Sequence, residues 1–112
     1  MNKRILEALA PLGYPVLYGW YDESLNKTHI TFFQYNELPN DYSEDTNEVL
    51  EHYFQIDIWS KENVEKLKKD VKKAMLKIGF SYTDGRDQFE TDTKIYHKAL
   101  RFYIAEIDEG DD

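Results

Sequence analysis

The stretch from Tyr53 to Ile78 constrains this chain more than any other: YFQIDIWS, dense in apolar and aromatic residues, runs directly into the lysine-rich KENVEKLKKDVKKAMLKI. Val64, Leu67, Val71, Ala74, Met75 and Ile78 recur at spacings of three and four, which places them in one stripe on the 3.6-residue helical period. That stripe predicts a core-facing helix. Ser60, at the joint, is suited to accept a hydrogen bond from a free N–H of the first helical turn, and Glu62 and Glu65 supply negative charge where the helix dipole favours it. Gly79 stands where a left-handed residue ends a helix, and Phe80 to Thr83 read as extended again. The unit predicted is strand, helix, strand.

The chain has 112 residues, which fits a single domain, 1–112, able to bury a core without metal or disulfide support. It contains no cysteine, so disulfides, zinc-thiolate sites and cysteine nucleophiles are excluded. The start MNKRILEALAPLG has too short an apolar run for a signal peptide or a membrane span, and the chain reads as a soluble cytoplasmic protein. Its formal charge is -8, from 22 acidic and 14 basic residues, which disfavours duplex binding because affinity for phosphate rests on Lys and Arg. Seven of those basic residues (Lys61, Lys66, Lys68, Lys69, Lys72, Lys73 and Lys77) lie on the one predicted helix. The expected reading is a solvated face opposite the core stripe, and the competing one is a basic ridge that docks an acidic partner.

From the beginning, Asn2 is placed to cap a short helix whose Ile5, Leu6 and Leu9 face inward, ended by Pro11, Gly13 and Pro15. Val16 to Tyr21 and His29 to Asn36 read as two strands of a hairpin with a polar connection. Glu37 to Glu48 has no apolar period and reads as an acidic loop, after which Val49 to Trp59 forms a third strand with Leu50, His52, Phe54, Ile56 and Ile58 on its core face. Asp84-Gly85 signals a turn and Arg86 to Asp92 a polar connection. The last strand, Thr93 to Ile107, carries Tyr96, Lys98, Leu100, Phe102 and Ile104 on one face and His97, Ala99, Arg101, Tyr103 and Ala105 on the other. The fold class expected is α+β: a mostly antiparallel sheet of about five strands, with a short N-terminal helix and one long helix packed on one face.

Chemistry is thinly represented. His29, His52 and His97 lie on separate strands without metal-ligand spacing, and are expected to be partly exposed strand residues. The carboxylates at 41–48 lack the calcium-loop pattern with its turn glycine, and no glycine cluster exists to cradle a phosphate. A phosphodiester-cleaving set of His97, Lys98 and Arg101 is broken by period-two geometry, which puts Lys98 on the opposite face. No catalytic residue, metal site or cofactor is predicted.

Three stretches carry a family resemblance: GYPVLYGWY with HITFFQYNELP, EHYFQIDIWSKENVEKLKKDVKKAMLKIGF, and TDTKIYHKALRFYI. Together they resemble the tail completion, or head-tail joining, proteins of long-tailed bacteriophages and Gram-positive prophages, a family similar in fold to tail terminators. The most specific pieces are the strand-to-helix junction at Gln55, Asp57, Trp59 and Ser60 and the strand from Lys94 to Phe102. The resemblance implies a non-enzymatic virion protein, assembled in the host cytoplasm, that forms a ring, commonly sixfold, at the head-proximal end of the tail tube. Such a ring contacts itself, the tail tube protein and the head connector, passes DNA without binding it specifically, and touches no membrane. Similarity is weakest at Asn40 to Glu48 and Asp84 to Glu90, where partner specificity is expected. With the lysine helix, this makes Asp41, Tyr42, Asp45, Lys68, Lys72, Arg86 and Asp87 the candidate interface residues. The alternative is a small regulatory binding module that uses the lysine helix for nucleic acid or an acidic protein.

Overall fold

Long runs of alternating apolar residues make strands here, and the strands find their partners far along the chain. In the computed structural model, which describes residues 1–21, 27–39 and 49–107, α1 (Asn2–Leu9) and a 3-10 turn (Ala10–Leu12) lead into β1 (Val16–Tyr18). There follow β2 (His29–Pro39), β3 (Val49–Ser60), α2 (Glu65–Lys77), β4 (Ser81–Glu90) and β5 (Ile95–Ile107). One five-stranded sheet has the order β1-β2-β3-β5-β4, antiparallel at each pairing except β1 with β2. This is the α+β architecture the sequence predicts.

Both helices lie on one face of the sheet. Ile5 and Leu9 of α1 and Leu67, Val71 and Met75 of α2 meet Ile30, Phe32, Phe54, Ile56, Ile58, Leu100 and Phe102 in a continuous core. The α2 stripe is buried as its period requires, and the helix ends in a paired-carbonyl cap. Gly79, at φ 103°, donates its N–H to Leu76, and the Phe80 N–H reaches the Met75 carbonyl. Arg4 fastens this layer from outside, pairing with Glu106 of β5 and donating to the Ile78 carbonyl just past α2.

Several expectations are corrected. The first helix starts at Asn2 itself, with Met1 at the cap position, and Leu6 is exposed because it lies off the Ile5–Leu9 line. Ser60 does not cap α2: it is still paired with Tyr96 in the sheet, so the chain must leave the ladder before turning under it. The Ser60 hydroxyl instead accepts the Glu62 N–H at 3.0 Å and bonds the Thr28 hydroxyl at 2.7 Å, and the helix begins at Glu65. The first two strands are not a hairpin. Val16 to Tyr18 run parallel to Ile30 to Phe32, a pairing no tight turn can make, and the Ile30 and Gly19 N–H groups close the two ends of the short ladder on Pro15 and Phe32.

The polar segment after Asp84-Gly85 is also not a loop. β4 continues through Glu90, and the predicted turn is a register shift between Tyr82 and Asp84. The reason is its place at the sheet edge: a strand exposed on both faces satisfies its backbone against β5 and needs no apolar alternation. Gly85 is required there for close approach, since an added Cβ would run into the Tyr82 hydroxyl and stand 3.2 Å from the Ala99 carbonyl oxygen.

Candidate functional site

Four of the seven candidate interface residues lie in the described structure; Asp41, Tyr42 and Asp45 fall outside the described residues. Three of the four are brought together at one corner, where the first turns of α2 meet β4 and β5. Lys68 donates to Asp87 at 3.1 Å, and Lys98 donates to Glu65 at 3.0 Å and to the other Asp87 oxygen at 3.2 Å. Lys72 stands 4.2 Å above the Tyr82 ring. Lys68, Lys72 and Asp87 are therefore engaged within the chain itself, and the lysine face is only partly free.

The charges at this corner tune one another. The Lys98 side chain is only 4% exposed. Burial alone would lower its pKa, but the bonds it donates to Glu65 and Asp87 outweigh that and hold it above the usual lysine value. Burial would raise Asp87, and the Lys68 and Lys98 bonds reverse the sign and hold it below the ordinary Asp value. The Lys98 hydrogen bond likewise lowers Glu65.

Arg86, the fourth candidate, faces the other side of the sheet, where no helix among the described residues packs. This outer face has a polar interior of its own. Asp57, fully buried on β3, accepts from Gln55 Nε2 at 2.8 Å and from His97 Nε2 at 2.6 Å, both on its Oδ1. Gln55 in turn accepts from Arg101 Nε at 3.1 Å, and the Trp59 indole N–H donates to Thr31 at 2.9 Å. Because a carboxylate only accepts, His97 Nε2 is the donor in this bond. The His97 ring lies flat on Trp59, 3.8 Å between centroids and 9° from parallel. Trp20, half-exposed, meets Phe33, Trp59 and His97 edge-on and roofs the group.

Between Trp20 and the β4–β5 hairpin opens a cleft of about 270 Å³, lined by Arg86, Gln88, His97, Ala99 and Arg101 among others. Beyond it, Tyr35, Tyr53 and Tyr103 form a row with ring centroids 6.0 and 5.2 Å apart, and the Arg101 guanidinium lies 4.9 Å above Tyr35. His29 and His97, expected to be partly exposed, are buried instead: cross-strand neighbours Trp59 and Asp57 enclose them. The Asp57–His97 pair is the feature sequence reading missed, and its one signal was a charged residue inside the apolar run QIDIW. Among the described residues no hydroxyl group bonds His97. No group of three His, Cys, Asp or Glu among them is placed to hold a metal, and no helix is long and apolar enough to cross a membrane.

The sequence matches no protein-family model and no curated protein. Among solved structures, a chain in the virion of a native gene transfer agent particle aligns over 89% of this chain and 83% of its own, with a TM-score of 0.57 and 16% identity. The two chains share a fold. The type 4 fimbrial biogenesis protein PilO from Pseudomonas aeruginosa aligns over 95% of this chain and 65% of its own at a TM-score of 0.48 and 6% identity, a level from which nothing further is drawn.

Proposed function

We propose that the protein is a structural virion component, a tail completion protein that assembles as a ring, sixfold in the particle, between the tail tube and the head connector. The observation that carries this reading is the fold shared with a virion-particle chain across most of both lengths. The sheet supports it physically: no helix among the described residues lies above its outer face, which leaves that surface for a neighbour to cover. Work is done by surfaces in this reading, with no enzymatic step. A charge of -8 per subunit favours passage of DNA through such a ring over adhesion to it. It also makes subunits repel, so closure of the ring depends on contact with the tube or on moderate salt.

The test is the mass in solution by light scattering, alone and mixed with the cognate tail tube protein. Appearance of a ring-sized species, six subunits or a multiple, on mixing supports the proposal. A protein that stays monomeric and elutes apart from both tube and connector proteins overturns it.

A further inference from the structure

We infer that the cleft beneath Trp20 is a receptor for a carboxylate, and that its ligand is an acidic peptide segment in extended conformation. The chain holds only three arginines. Arg4 is committed to Glu106 and the Ile78 carbonyl, and the other two both line this cleft. Arg86 has no hydrogen-bond or ion-pair partner among the described residues. Arg101 uses Nε on Gln55 and holds its guanidinium carbon 4.9 Å over the Tyr35 ring, leaving its terminal N–H groups unbonded within the described chain. The two sit diagonally across the β4–β5 ladder, because Arg86 pairs with Ala99 and Arg101 is two residues further on β5. That diagonal corresponds to about 7–8 Å between backbones, a span one carboxylate bridges between two guanidinium forks.

Ala99 keeps the floor between them open, and His97, 6% exposed and fixed by Asp57, stands at the inner end. Asp84 and Glu90 also line the cleft, but each accepts from a neighbouring threonine, Thr83 and Thr93, and neither pairs with an arginine. Their charge, together with the chain's net -8, penalises a polyphosphate more than a single carboxylate. The outer edge of β4 supplies the rest. An extended peptide can add to that strand through main-chain hydrogen bonds and turn an acidic side chain over Arg86. The site does not depend on ring formation, since a monomer would bind such a peptide equally well.

Both tryptophans of the chain, Trp20 and Trp59, line the cleft, so intrinsic fluorescence reports on it directly. Titration with an acetylated, amidated Val-Thr-Glu-Thr-Val peptide, which is β-prone and carries one carboxylate, at constant ionic strength should give a saturable change. In Arg86→Gln, which breaks no internal bond, affinity should fall at least about tenfold, the loss of a charge-assisted hydrogen bond. Ala99→Leu, which fills the floor, should abolish binding. Lys69→Gln/Lys73→Gln, on the far side of the molecule, should bind as the natural protein does. The proposal is overturned if no saturable change occurs, if the lysine variant loses binding as Arg86→Gln does, or if duplex DNA or inorganic phosphate binds as tightly as the peptide.

Discussion

The two faces of the sheet are both buried near their centres, and they are buried by different physics. Under the helices, Phe54, Ile56, Leu100 and Phe102 are removed from water by apolar contact, which has no preferred direction. On the outer face the same strands bury Asp57, His97 and Gln55, β2 adds Thr31, and every gain there depends on a hydrogen bond at a set distance or a ring at a set angle. A residue-by-residue alternation along β3 thus switches between an interior that tolerates change of shape and one that tolerates little change of chemistry.

The sharpest way to break that contrast is to make similar changes on both faces and measure stability by urea unfolding. Phe102→Ala, under the helices, should cost about 3–5 kcal/mol through the cavity it leaves. His97→Leu should cost roughly 1–3 kcal/mol, although it replaces a buried ring with a bulky apolar side chain, because Asp57 loses one of its two hydrogen-bond donors inside the protein. Ile56→Leu, an equivalent apolar exchange on the helix face, should cost less than about 1.5 kcal/mol. Adding Asp57→Leu to His97→Leu should restore much of the loss. If the double variant is no more stable than the single one, the directional account of the outer face is wrong.

Gly85→Ala should cost roughly 1–3 kcal/mol by driving the Tyr82 hydroxyl off β4, and Tyr82→Phe in the same chain should recover part of it. The corner charges give the smallest effects. Lys68→Ala should change stability by less than about 1 kcal/mol, its pair with Asp87 being half open to solvent. Glu65 and Asp87 titrate below their ordinary values of 4.5 and 3.8, so their contribution is complete above pH 4.5 and drains away as pH falls through the lowered values. Lys98→Met removes the ammonium that Glu65 and Asp87 share, leaving Lys68 on Asp87, and the acid limb of its stability profile should flatten below pH 4.5.

What could be read from the sequence follows the same division. The α2 stripe, the Gly79 terminus and the alternating core residues of β3 and β5 were legible because apolar burial leaves a period in a local window. β4 left no such mark, since it hides neither face, and Asp84-Gly85 there is chain punctuation that became a bulge. The direction of β1 was invisible for another reason: parallel and antiparallel neighbours differ in the path of the connection, not in the three residues paired. Asp57 and His97 are 40 positions apart, and only the pairing of β3 with β5 sets them side by side. Of the interface candidates, Lys68 comes from the lysine helix and Asp87 from the segment Asp84 to Glu90, and the fold turns them toward one another.

The junction of β3 with β5 runs in unbroken register from Val49 opposite Ile107 to Ser60 opposite Tyr96, whereas the pairings on either side of it each carry an irregularity, between Gln34 and Asn36 and between Tyr82 and Asp84. The molecule is in effect a stiff spine bearing two leaves, each creased where its ladder slips. Bulges bend and twist a strand at little expense to the rest of the sheet. A chain made this way can splay its margins to match the curvature of whatever it is set against, while the imidazole–carboxylate lock between His97 and Asp57 on the spine keeps its spacing.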